Sequence, residues 1–190
     1  WNSWNCWGPE VNADKVLRSA HAMVASGLVQ HGWTYINIDD AWQAARGGSY
    51  HGIQGNEKFP DVQALAGQIH ALGLKAGIYT DIGPYTCYPN PRYQGSYGHE
   101  QQDADTFAAW GMDLVEMDYC NRVKAHTGRW VYERMAKAIK KTGRPMVFYL
   151  CSWGNEQPWE WAQGYAQMWR TEGDISHVKD YAKWANVVRN

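Results

Sequence analysis

Acidic residues recur where the short apolar runs of this chain end. Asp118 closes the run LVEM (114–117), and Asp174 lies in the loop after QMW (167–169). Two carboxyls facing each other across a sugar ring are the minimal apparatus for breaking a glycosidic bond. One attacks, or stabilises positive charge at, the anomeric carbon, and the other hands a proton to the leaving oxygen. A separation of about 5–5.5 Å gives retention and one of about 6.5–9.5 Å gives inversion. A carboxylate nucleophile is expected at low pKa, so Asp118 should lie near donors such as Arg170. The acid is expected at raised pKa, so Asp174 should be poorly solvated or near another carboxylate such as Glu172. Asp39 and Asp40 follow TYINI (34–38). Neighbours in a strand point apart, but a bend at the strand end lets both reach sugar hydroxyls. A single strand-end acid is as well explained by capping a helix or pairing with arginine; several strands ending this way point to one shared site.

The elements that would position these acids alternate along the chain. The β-type runs are TYINI (34–38), KAGIYT (75–80), LVEM (114–117), MVFYL (146–150) and QMW (167–169). Between them lie helical patterns: one capped by Asn12 or Asp14 and running to about residue 31, then 62–72 before Gly73, 100–110 before Gly111, 129–142 before Gly143, and 158–163 opening on Pro158. Strand–helix alternation predicts a parallel sheet with crossover helices, either an open doubly wound sheet or a closed (β/α)8 barrel. No GxGxxG or GxxxxGK[ST] follows any strand. Polar groups converging at many strand ends favour the barrel. Residues 1–4 would sit just past the end of a further strand. A barrel needs eight strands and typically ~250 residues. The 190 residues therefore read as one α/β domain, 1–190, a TIM-type (β/α)8 barrel lacking its first strand and last two βα units. The missing part of its own barrel is then an expected partner. The chain opens at Trp1 without a leader pattern, as processing or truncation would leave it.

Composition narrows the partners. A net charge of −1 argues against electrostatic binding to nucleic acid or anionic membranes, and no apolar run is long enough to cross a bilayer. There are 12 Trp and 12 Tyr but only 3 Phe. Rings with a polar edge suit wet clefts, and their faces can stack on sugar C–H surfaces; a Trp-rich core explains the count about as well. Cys6, Cys87, Cys120 and Cys151 form no CxxC pattern, and the seven His, His177 among them, form no HxH or HExxH pair. No metal site and no cofactor are expected. One or two disulfides would place the protein in an oxidising compartment: secreted, periplasmic or similar.

Six collinear segments, WNSWN (1–5), YINIDDAW (35–42), residues 59–87, residues 95–121, YLCSWG (149–154) and WRTEGDI (169–175), resemble glycoside hydrolase family 27, the α-galactosidases and α-N-acetylgalactosaminidases. The resemblance implies a (β/α)8 catalytic barrel and double displacement through a covalent glycosyl-Asp intermediate on an α-linked oligosaccharide or glycoconjugate. It puts Asp118 in the nucleophile's place and Asp174 in the acid/base place. It matches Asp39 and Asp40 to a pair binding galactose hydroxyls, Trp4 to an aromatic packed on the sugar, and Tyr79 and Arg170 to pocket residues. It implies a Cys87–Cys120 disulfide and an unpaired pocket Cys151.

Three positions depart from the family pattern. Glu116 stands where a hydroxyl-binding lysine is usual, reversing donor and acceptor roles and setting a second negative charge near Asp118. Ser152 stands where α-galactosidases often have Glu, and a small residue there resembles the N-acetylgalactosaminidases. Ala41 replaces a cysteine, leaving Cys6 without its obvious partner. The sugar could thus be galactose, N-acetylgalactosamine or a related hexopyranose, as in isomaltose-releasing dextranases and β-arabinopyranosidases. A lectin-like barrel that has lost catalysis and a metal-dependent hydrolase are the rivals of other classes; retention of both Asp118 and Asp174 speaks against the first.

Overall fold

The computed structural model describes residues 1–174. Ile175 of the last motif, His177 and the remainder of 1–190 lie outside the described residues. The strands are β1 (Tyr35–Ile38), β2 (Gln43–Gly47), β3 (Gly52–Gly55), β4 (Lys75–Asp81), β5 (Leu114–Asp118), β6 (Val147–Cys151) and β7 (Met168–Trp169). The α-helices are α1 (Trp4–Trp7), α2 (Ala13–Ala25), α3 (Val62–Ala71), α4 (Glu100–Ala109) and α5 (Gly128–Lys141). Asn12, Asp61 and Thr127 cap α2, α3 and α5, each side chain accepting from a backbone N–H three residues on.

Five strands form one sheet, β1-β4-β5-β6-β7, parallel throughout. Residues 1–3 extend it on the other side of β1: Asn37 N donates to Trp1 O (2.8 Å) and Ser3 N to Asn37 O (3.2 Å). Each strand lies beside the next in chain order, with the antiparallel β2–β3 hairpin set apart from the sheet. A doubly wound sheet reverses its order at a switch point. This one never does, and the described residues form an arc of a (β/α)8 barrel.

Side chains alternate across a strand, and the two faces differ here in kind. Ile36, Ile38, Ile78, Val115, Met117, Phe148 and Leu150 face the helices and pack with Val16, Met23, Leu65, Ile69, Phe107, Val131 and Met135 in one core. Asn37, Tyr79, Asp81, Glu116, Asp118, Tyr149 and Cys151 occupy the alternate positions. In register, Tyr79 stands beside Glu116 and Glu116 beside Tyr149, with Asp81, Asp118 and Cys151 one step further on.

Four local features differ from the sequence expectation. Residues 1–3, expected past the end of a strand, themselves pair with β1, and the short α1 follows them. The helix expected to run to about residue 31 stops at Ala25, because Gly27 turns left-handed (φ 77°), and a 3-10 turn covers Leu28–His31. Residues 158–163 form no α-helix. Gln157 enters left-handed, and two 3-10 turns, Pro158–Glu160 and Ala162–Gly164, flank Trp161, whose indole N–H donates to Glu156 O (2.8 Å). The β2–β3 hairpin was not foreseen. It is fastened to α4 by Arg46, which donates to both carboxylate oxygens of buried Asp103 (2.5 and 3.1 Å), while Ile53 N donates to the same side chain (2.9 Å). Gly52 makes this approach possible, since a Cβ there would lie 2.2 Å from Thr106 Oγ1.

Trp42 joins the hairpin to the sheet: it is fully buried, edge-on to Phe107 and Trp110, and donates its indole N–H to Tyr79 O (2.9 Å). Trp42→Ala is expected to cost about 3–5 kcal/mol, read as a lowered urea midpoint at unchanged m-value.

Candidate active site

The inward residues open onto a cavity of about 830 Å³ at the carboxyl ends of the strands. Asp118 and Asp174 both line it, as do Trp4, Asp39, Asp40, Tyr79, Glu116, Cys151 and Arg170. Ser152 does not: its side chain is fully buried behind the wall, and its Oγ has no hydrogen-bond partner. Asn2, Asn5, Tyr149, Trp153, Trp169, Thr171 and Glu172 complete much of the lining. Arg170 is the one Lys or Arg among the described lining residues.

Asp118 is held from two sides. Tyr119 N donates to Oδ1 (2.9 Å) and the Tyr79 hydroxyl to Oδ2 (3.1 Å). Burial nonetheless outweighs these donors and that of Cys151, pushing Asp118 up to about 6. The expected depression by Arg170 is not seen, because Arg170 faces elsewhere: its Nη1 donates to Asp174 Oδ1 (2.9 Å) and lies 3.7 Å from Cys151 Sγ. Asp174 was expected to be poorly solvated, but its side chain is 72% exposed and paired with that guanidinium.

Asp39 and Asp40 diverge as adjacent residues must. Asp40 Oδ2 accepts from Tyr88 N (2.9 Å) and Oδ1 from Ala41 N (2.7 Å), at the cost of a left-handed Ala41 (φ 77°). Asp39 Oδ1 accepts from Asp40 N (2.7 Å) and Oδ2 from Asn2 Nδ2 (2.6 Å). Burial first, then the charges of Asp40 and Asp118, push Asp39 up to about 7. Glu116 is raised well above the usual carboxylate range by burial, with Asp39 and Asp118 adding to it; the Asn37 hydrogen bond opposes the shift. Trp4 stands half-exposed at the mouth, edge-on to Tyr88 at 6.3 Å between ring centroids.

Cys87 and Cys120 form a disulfide across the loops after β4 and β5, with 5.1 Å between Cα atoms. Cys6 and Cys151 are free. Asp81 braces the same loops, accepting from Gly83 N (2.6 Å) and Cys120 N (2.9 Å). Asp81 and Asp118 lie near the two disulfide sulfurs, which offer no thiolate to a metal ion.

Three contributors were not singled out from sequence: Asn2, Asn37 and Tyr149; Asp81 was legible as the acid that ends its strand. A signal existed for two of the three. Asn37 and Tyr149 each lie two residues from a pocket position, the spacing that puts side chains on one face.

An acidic cleft built from successive strand ends of a (β/α)8 arc is a site for a small polar ligand reached from the carboxyl face. The family described as alpha galactosidase A (Melibiase_2) matches residues 5–188, and the chain belongs to it. It is 48% identical over 177 residues to alpha-galactosidase A of Cellvibrio japonicus, covering 92% of this chain and 43% of that protein. It superposes with a TM-score of 0.84 on alpha-galactosidase I of Mortierella vinacea, at 39% identity over 92% of this chain and 45% of the other. The same score is found with an alpha-galactosidase of Saccharomyces cerevisiae bound to raffinose, at 32% identity over 92% of this chain and 39% of the other. The chain thus spans less than half the length of these relatives.

Two stability predictions follow from the site. Asp118 titrates at about 6 when folded against a reference of 3.8, so the stability tied to its neutral form is present at low pH and lost as pH rises through about 6. Asp118→Asn should therefore raise unfolding free energy at pH 7 by about 1–3 kcal/mol and change little at pH 4, measured by urea denaturation at both. Replacing Cys87 and Cys120 by Ser opens a 33-residue loop and should cost about 2–4 kcal/mol, seen as a fall in Tm that reducing agent reproduces in the parent protein.

Proposed function

We propose that the protein is a retaining glycoside hydrolase acting on terminal α-linked galactose or a closely related hexopyranose. The observation that carries this reading is the pair Asp118 and Asp174 lining one cavity, the first buried and fixed by Tyr79 and Tyr119, the second exposed at the mouth. Asp118 attacks the anomeric carbon as its glycosidic bond breaks, and Asp174 protonates the departing oxygen. In the second step Asp174 takes a proton from water, whose oxygen displaces Asp118. The sugar must draw Arg170 from Asp174 before the first proton transfer, and Arg170 then donates to a sugar oxygen. Trp4 offers its ring to the sugar's apolar face. Asp39 and Asp40 accept from its hydroxyls. The raffinose complex of the yeast relative and the names of the curated relatives support an α-galactoside as substrate. Disulfide formation supports a secreted, periplasmic or otherwise oxidising location. The acetamido reading of Ser152 gains nothing from the geometry, since that side chain does not open onto the cavity.

The test is a panel of 4-nitrophenyl glycosides (α-galactoside, α-N-acetylgalactosaminide, α-glucoside, β-arabinopyranoside) with the full-length gene product. The α-galactoside should turn over fastest, with the α-anomer of galactose appearing first by NMR. Asp118→Asn and Asp174→Asn should each lose roughly 10³-fold or more in kcat. The reacting form of Asp118 is the carboxylate, so kcat/KM should fall as pH drops through about 6. Turnover of no member, or undiminished turnover by both variants, overturns the reading.

A further inference from the structure

Glu116 is built into the pocket as a carboxyl with one oxygen reserved. The residue is 5% exposed and lines the cavity. Asn37 Nδ2 (2.5 Å) and Asn2 Nδ2 (3.0 Å) both donate to Oε2. Asn2 cannot turn its amide round, since its Oδ1 accepts from Trp4 N (2.8 Å) and its other N–H reaches Asp39 Oδ2 (2.6 Å). Oε1 has no hydrogen-bond partner among the described residues and is not among the sealed, unpaired polar atoms, and the residue lines the cavity. With two donors converging on Oε2, a proton on this carboxyl sits on Oε1, the oxygen they leave free. Gly77 makes the arrangement possible. A Cβ there would lie 2.5 Å from Asn37 Oδ1, displacing the amide that holds Oε2.

We propose that Glu116 is a specificity-determining residue of the sugar pocket: its Oε1–H donates to one sugar hydroxyl, while Asp39, tied to it through the single amide of Asn2, accepts from the neighbouring hydroxyl. This rests on the glycosidase reading above and adds to it a donor–acceptor pair that reads two adjacent hydroxyls as a unit; the reversal of roles expected from sequence holds for an ionised Glu116, and the protonated carboxyl donates. The charged and titratable groups facing Glu116 agree with a neutral donor. Asp39 from the end of β1 and Asp118 from β5 repel a charge on it, Tyr149 and Cys151 approach from β6, and Arg170 beyond β7 gives partial relief. Donation is lost as pH rises through the titration of the Glu116–Asp39 pair, so the alkaline limb of kcat/KM carries its signature.

The experiment compares wild type, Glu116→Gln and Glu116→Ala in the full-length gene product. Substrates are 4-nitrophenyl α-galactoside and its analogues deoxygenated at one ring position each, and calorimetry measures D-galactose binding. Wild type should lose roughly 100-fold in kcat/KM on the analogue lacking the hydroxyl that Glu116 reads. Glu116→Ala should fall roughly as far on the parent sugar and no longer distinguish that analogue. Glu116→Gln keeps an N–H donor, so it should stay within about tenfold of wild type with its alkaline limb moved upward. Glu116→Ala keeping the wild-type discrimination, Glu116→Gln failing as Glu116→Ala does, or an unmoved alkaline limb in Glu116→Gln each overturns the proposal. Galactose binding separates the two readings. Equal affinity in all three proteins defeats the role of Glu116 alone, while a wild type that neither binds nor cleaves defeats the function and the role together.

Discussion

Like charges packed out of water on one face of a parallel sheet are the constraint from which the rest of this structure follows. Strand alternation sends Asp81, Glu116 and Asp118 inward together with Asn37 and Tyr79, and Asp39 joins them at the end of β1. Desolvating a carboxylate costs several kcal/mol even after relaxation, and Arg170 is the sole Lys or Arg among the described lining residues. The compensation comes instead from neutral donors: the Asn2 and Asn37 amides, the Tyr79 hydroxyl, and the backbone N–H groups of Asp40, Gly83, Tyr88, Tyr119 and Cys120. Most of those donors belong to loops, so the loops must be fixed before the site exists. The apolar outer face and the disulfide between the loops after β4 and β5 supply that rigidity. Raised carboxyl pKa values record what compensation leaves uncovered, and stability is spent on gathering these acids in one cavity.

The strands were legible because each is an apolar run bounded by glycine or polar residues, and the acids at their ends were legible as a set. The family resemblance named the same acids, and the disulfide pairing came from it alone. The β2–β3 hairpin escaped because Gln43 to Gly55 is polar and glycine-rich, with no alternation; its order comes from Arg46 and Asp103, fifty-seven residues apart. The partner of Arg170 was misjudged for a related reason. Asp118 precedes it by two crossovers, whereas Asp174 is four residues away in the same loop. The Asn2–Asp39–Glu116 connection joins three segments whose meeting depends on strand register, which residue type alone does not convey.

Glu156, in the loop after β6, accepts from the Tyr119 hydroxyl (2.7 Å) and from the first two amides of α5, Gly128 N and Arg129 N (both 2.8 Å). These donors hold its carboxyl below the usual range despite its partial burial. Tyr119 directly follows Asp118, and Trp153 of the pocket wall packs edge-on against its ring. The rim segments beyond two adjacent strands are thereby clamped into a single plate anchored at a helix start. Ligand entry on that flank must move the plate as one piece or leave it still, and Glu156 is the residue that joins its parts.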